Sequence, residues 1–280
     1  MDFQTFTLKK WDDIHCMLRH DWIYRGQKEA KRPLKTSLER WLDRYSIAPT
    51  RRPELEAEVL REFQRAYHNY ISHTPEQQDT LEWLSLMQHH GAPTRLLDFS
   101  YSIYVAAYFA LERADSDCVV WAIDSHWAYQ QTLKNASRRR KKKRTFPPDK
   151  IEEGDEGDFM PFFMTRPFVP SACPINPYRL NERLRLQKGI FLIPGDVTVS
   201  FKENLCALDG YDQSSHLIRI IIPKGLQTEG LQKLYYMNIT RTSLFPGLDG
   251  YSSSLGVFHP QLKAYESEQD KDRRQRQNSF

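Results

Sequence analysis

The sequence predicts an α+β fold, with mixed sheet strands flanked by helices. Strand-forming runs at 22–24 (WIY), 118–123 (CVVWAI) and 216–223 (HLIRIIIP) fall among helical patterns without the strict alternation of a doubly wound sheet. An apolar content of 40%, with 12% aromatic residues over 280 positions, is enough to fill a sizeable core. No internal repeat is visible, and the reading is one domain over 1–265 with a disordered insertion at 135–158, then a charged flexible tail at 266–280.

Taken in order, Trp11, Ile14, Met17 and Leu18 are spaced to share one face of a short helix. Trp22, Ile23 and Tyr24 are strand formers with Arg25 and Gly26 directly behind them. A short helical piece spans Leu38 to Leu42 in a cationic stretch from 28 to 52. Pro53 suits a first helical turn, Glu54, Glu56 and Glu58 suit the dipole there, and Leu55, Val59, Phe63, Ala66, Tyr67 and Tyr70 form an apolar face running to about Ser72. A second helix starts near Pro75 and carries Leu81, Leu84 and Met87 to His90, where Gly91 fits the left-handed turn that ends a helix.

Ile103, Ala106, Ala107 and Ala110 predict a small-residue helix able to lie close on a sheet, and a short helix is expected over 126–133. Residues 159–178, rich in proline and aromatics, read as irregular. Asn181 to Pro194 reads as a hairpin or bulge around Gln187, Lys188 and Gly189. Residues 226–237 read as a helix, and TRTSLFPGLDG as a closing loop.

Charge is segregated more than excessive, the formal net value being +4. Arg138 to Arg144 is a basic run followed almost at once by Glu152, Glu153, Asp155, Glu156 and Asp158. It is able to neutralise nucleic-acid phosphates, but no aromatic residue interleaves it to stack bases, and a solvated loop paired with its acidic neighbour is the simpler reading. Cys16, Cys118, Cys173 and Cys206 lack CxxC spacing, so neither a disulfide framework nor a zinc site is expected. No apolar run approaches membrane-spanning length and no signal peptide is visible, which makes a cytoplasmic protein without a membrane partner the expectation.

The stretch from Gln88 to Ala110 is the densest in conflicting signals. Thr94, Arg95 and Asp98 punctuate an apolar segment that fits neither a clean strand nor a clean amphipathic helix, a conflict typical of functional sites. His89 and His90 are adjacent and diverge by about 100° around a helix, a poor arrangement for a metal. Arg25 beside Gly26 suits either a phosphate, met bidentately, or a carboxylate beside a turn.

The residues YRGQ at 24–27, HHGAPTRLLDFS with its AAYFA continuation, RLRLQKGIF and LFPGLDG together resemble the FRG domain family, named for its aromatic-Arg-Gly motif, over most of residues 20–255. The order of an aromatic-Arg-Gly strand, a Ser/Thr-bearing strand entering an alanine-rich helix, and a late acidic or amide residue also resembles the ADP-ribosyltransferase layout. That second resemblance implies NAD as substrate, held by Arg25, Gly26, Gln27, Thr94, Arg95 and Ser100. It implies Asp98 and Gln187 as catalytic residues, with no metal. Asp98 would either face a developing oxocarbenium ion or hold Arg95 in place. Gln187 stands where those enzymes carry a glutamate, Glu182 being less well placed, and an amide orients a hydroxyl without stabilising a cation.

Three readings follow. One is a nucleotide-binding protein that transfers ADP-ribose from NAD, or hydrolyses NAD, as a toxin or phage-defence effector. The second is a non-catalytic module binding nucleic acid or protein through Arg25, Arg95 and the basic loop. The third makes Arg25, Arg95 and Asp98 an internal ion-pair network.

Overall fold

The computed structural model describes residues 3–70, 75–139, 160–179 and 181–256. The basic run from 140 onward, its acidic neighbour, the expected helix end at Ser72 and the charged tail lie outside the described residues.

The architecture is α+β, as expected: among the described residues, one seven-stranded mixed sheet lies between helices. Its strands are β1 (Thr5–Thr7), β2 (Trp22–Gln27), β3 (Leu97–Ser100), β4 (Cys118–Asp124), β5 (Ala172–Ile175), β6 (Gly189–Pro194) and β7 (Leu217–Ile222), in the order β1-β7-β4-β2-β3-β6-β5. Only β1 and β7 run parallel; every other neighbouring pair is antiparallel. The helices are α1 (Ser37–Arg44), α2 (Arg52–Ala66), α3 (Thr80–His89), α4 (Ile103–Leu111), α5 (Ser125–Arg139), α6 (Met160–Met164), α7 (Glu182–Leu186), α8 (Phe201–Cys206), α9 (Gln227–Tyr236), α10 (Arg241–Leu244) and α11 (Leu248–Ser254).

Alternation along β2 divides the core between the two faces of the sheet. Trp22 and Tyr24 pack with α4, whereas Ile23 joins Val119, Trp121 and Ile123 beneath α8. The alanines expected to bring α4 close do so, and Gly26 completes the contact: a Cβ at this position would stand 1.9 Å from the Ala106 carbonyl oxygen and 2.5 Å from the Ala110 nitrogen. The glycine of the Arg-Gly pair is therefore required by helix-on-strand packing.

Several expectations are corrected. Asn181 to Pro194 is not a hairpin. Asn181 accepts the Leu184 N–H at 2.8 Å as an N-cap, the single turn α7 follows, and Lys188 at φ +47° leads into β6. The segment read as irregular contains α6 and β5; Pro174 sits in β5, an edge strand, where a missing donor is tolerated. The closing loop contains α10 and the start of α11. The helix with Pro53 in its first turn, α2, ends at Ala66, so Tyr70 falls beyond its apolar face and is 82% exposed. Gly91 takes the left-handed conformation expected of it, with φ +81°.

Candidate functional site

The site arises where the sheet comes apart. β2 pairs with β4 along its full length, from Trp22↔Asp124 to Gln27↔Val119, but with β3 only at Tyr24↔Ser100. Beyond that pair β3 follows β6, with Asp98 opposite Phe191, while Arg25 stays opposite Trp121. Two central strands diverge and a cavity of about 200 Å³ opens between them, lined by Tyr24, Arg25, Asp98, Ser100, Arg183 and Gln187 among others. That volume fits a phosphate or sugar group rather than a whole dinucleotide, whose remainder would extend through the open side.

Ser100 ties the point of divergence together. Its hydroxyl donates to the Gln187 carbonyl at 2.7 Å and accepts the Ser102 N–H at 3.0 Å, linking the end of β3 to α7 and to the start of α4. Arg25 spans the opening, donating from Nη1 to the Asp98 carbonyl at 2.5 Å. The same nitrogen stays 3.8 Å from Asp98 Oδ2, so the carboxylate does not engage the guanidinium closely. Arg25 Nε is buried and has no hydrogen-bond partner, a deficit shared with Arg52, Arg219 and Arg241, but of these four only Arg25 lines the cavity.

Asp98 is oriented from the other side. Gln88 Nε2 donates to its Oδ2 at 3.0 Å, and the Gln88 carbonyl accepts from Thr94 Oγ1 at 2.5 Å, which fixes which way the amide faces. Gln187 donates from Nε2 to the Leu244 carbonyl at 3.0 Å, so the C-terminal end of α10 holds it. The next residue, Phe245, lies against two guanidinium groups, Arg183 at 4.6 Å and Arg241 at 4.5 Å from its ring centre.

The electrostatics are lopsided. Burial holds the Arg25 guanidinium below its ordinary pKa, with Arg40 and Arg32 adding repulsion and Asp98 opposing it. Arg40 and Arg183 are lowered chiefly by burial as well, and Asp98 raises each in turn. Three arginines, Arg25, Arg40 and Arg183, thus share Asp98, the only carboxylate lining the cavity among the described residues. Such an arrangement favours an anion, most of all one with several oxygens for bidentate arginine contacts.

Of the residues singled out in the sequence, Arg25, Gly26, Asp98, Ser100 and Gln187 converge on this cavity. Thr94, Arg95 and Gln27 do not. Thr94 is fully buried, bonded to Gln88 and, through its backbone, to Ser37. Gln27 donates to the Arg32 carbonyl at 2.7 Å and closes the turn after β2. Arg95 is 1% exposed; its Nε lies 2.6 Å from Glu56 Oε1, its Nη2 meets Oε2, and its Nη1 donates to the Phe163 carbonyl at 2.7 Å. The partner of Arg95 is therefore Glu56 and not Asp98.

Sequence reasoning passed over Arg183 and His89. Arg183 precedes Gln187 by four residues, the spacing that puts two side chains on one helical face, and that was a usable signal. His89 reads as a helix-end residue, yet it lines an adjoining hollow with Gln88, Asn181, Arg183 and Gln187. Burial, then His90 and Arg183, lowers its pKa.

Among known proteins, the FRG domain family model matches residues 20–118, which hold β2, β3, α4 and the Arg25–Asp98 half of the cavity. The RLRLQKGIF and LFPGLDG motifs lie beyond the matched span. No curated protein and no solved structure matches the chain.

Proposed function

We propose that this chain, which carries an FRG domain at residues 20–118, binds a phosphate-bearing nucleotide in the Arg25 cleft, and that NAD is the ligand to test first. The observation carrying this reading is the split between β2 and β3, with Arg25 and Arg183 lining the gap and a buried Arg25 Nε left without a partner. The ADP-ribosyltransferase-like order of motifs supports NAD in particular.

In the reaction proposed, the bond between nicotinamide nitrogen and ribose C1′ breaks, its electron pair leaving with nicotinamide. Water or a nucleophile of an acceptor then forms the new bond to C1′ and loses a proton. Arg25 and Arg183 hold the pyrophosphate, and Asp98, kept in place by Gln88, faces the positive charge growing on the ribose. Gln187 is a neutral amide and serves to orient the ribose. Glu182 is exposed and is not among the cavity residues. A toxin or phage-defence effector that depletes NAD or modifies a target is the role this chemistry suits.

The test is NAD consumption by the purified protein, with and without cellular macromolecules as acceptors. Turnover that disappears in Arg25→Ala while the circular dichroism spectrum persists is expected. Absence of NAD binding, together with no turnover on any acceptor, overturns the proposal and leaves a non-catalytic nucleic-acid or protein binding module as the better reading.

A further inference from the structure

The cationic stretch that follows β2 does not end at the cleft. Arg32 and Arg40 are close enough to lower the Arg25 pKa, and both are exposed. Lys28 and Lys31 lie exposed on the same loop as Arg32, and Arg44 is exposed one turn beyond Arg40 on α1.

Around α1, Arg40, Arg44, Trp41 and Tyr45 occupy a contiguous arc of about 140°, given about 100° per residue. The opposite side is core. Leu38 and Leu42 are buried, and Glu39 accepts the Phe201 N–H at 3.1 Å. Tyr45 is 61% exposed, its ring 6.1 Å from the Trp41 ring in an edge-on arrangement. Trp41 rests on the Leu38, Leu42 and Val197 cluster, which gives this pair a rigid base. The acidic residues nearby already have cations. Asp43 is held by Lys35 at 2.6 Å and Arg52 at 2.8 Å, and Glu29 has Lys28 at 4.0 Å.

We propose that this face of α1, with the 28–32 loop beside it, is a docking surface for single-stranded nucleic acid, placed so that the strand leads to the Arg25 cleft. Cations that track phosphates, interleaved with a tyrosine on which a base can stack, are what an unpaired strand requires. An acidic protein segment would use the charges and leave the rings idle. The basic run at 138–144 has charge without rings, whereas α1 has both. The inference deepens the preceding reading by naming the acceptor class, and rests on it for that role only; binding itself needs no NAD.

The experiment is fluorescence anisotropy of labelled oligonucleotides of about 12 residues, in RNA and DNA form, with the full chain and no NAD. Saturable binding is expected, weakening between about 50 and 200 mM salt with a log–log slope near −2, as for about three phosphate contacts. Arg40→Gln with Arg44→Gln lowers affinity by about tenfold and flattens the slope, whereas lysine at both positions retains most of the binding. Tyr45→Ala lowers affinity by about tenfold at every salt concentration and leaves the slope unchanged.

Three results overturn the proposal: no saturable binding at low salt, binding indifferent to all of these variants, or equal displacement of the oligonucleotide by polyglutamate of matched charge. The last assigns the surface to an acidic protein. Nucleic-acid binding without NAD turnover leaves the docking surface standing and removes only its role as an acceptor site, so the two failures are distinguishable.

Discussion

Arg25 stands between Tyr24 and Gly26 and Arg95 between Thr94 and Leu96, and both answer to a description of an arginine near Asp98. Their surroundings are opposite. Arg95 is 1% exposed, engaged by both carboxylate oxygens of Glu56 and by the Phe163 carbonyl, so each of its three nitrogens has a partner. Arg25 is 21% exposed, makes one hydrogen bond to a backbone carbonyl, stands 3.8 Å from its nearest carboxylate and leaves a buried Nε unmatched. A guanidinium that the fold engages at every nitrogen is part of the scaffold. One that the fold holds in place without satisfying is available to a ligand.

The largest expected effect tests the scaffold side. Arg95→Ala strands Glu56 as a buried carboxylate, and loss of one partner of a buried pair costs about 3–5 kcal/mol. Urea unfolding should show that loss or an unfolded chain; a stability close to the parent would mean that the pair is not structural.

Gly26→Ala comes next. A new Cβ would meet the backbone of α4, which cannot turn aside as a side chain can, and overpacking of this kind costs about 1–3 kcal/mol or more. Thermal unfolding would reveal it. An unchanged midpoint would show that α4 moves freely away from β2.

Arg25→Ala should change stability by about 1 kcal/mol or less, since only one hydrogen bond is lost and a crowded positive charge is relieved. Isothermal calorimetry with ADP-ribose or pyrophosphate should nevertheless show binding abolished. A large destabilisation in this variant would erase the contrast with Arg95.

The smallest effect concerns Glu39, at 7% exposure beneath the α1 face. Burial raises its carboxyl pKa, against the Phe201 N–H and Lys35, which lower it. Between the unfolded and the raised folded pKa the folded chain binds more protons than the unfolded one, so stability falls as pH rises through that window. Glu39→Gln keeps an acceptor for Phe201 and removes the penalty. Its melting temperature relative to the parent should rise from about pH 4 toward pH 7, and a constant difference would contradict the assignment.

Much of the frame was legible in the sequence for local reasons. Pro53, Gly91, the alanines of α4 and the apolar runs of β4 and β7 act through turn chemistry and periodicity, which need no distant partner. The division of labour within Thr94, Arg95 and Asp98 was not legible. It depends on Glu56, some forty residues earlier, which sits among other acids at a helix start and reads as one more favourable charge for the dipole. Only folding turns that glutamate inward. β5 was obscured by Pro174, which an edge strand accepts and a sequence pattern penalises. α7 was obscured because a single capped turn is too short to show periodicity, and with it went Arg183. The split between β2 and β3 has no signature in either strand, since it is a property of how they fail to pair.

The most direct measurement is calorimetric titration of ADP-ribose and NAD into the parent protein, Arg25→Ala and an Asp98→Asn variant, each confirmed folded. Saturable binding by the parent, lost in Arg25→Ala and retained in Asp98→Asn, is the predicted result, because in the proposed reaction arginine holds the phosphates and Asp98 acts on the ribose cation. Absence of binding by the parent, or equal binding by Arg25→Ala, would contradict the assignment of the divided sheet as a phosphate-anchoring cleft.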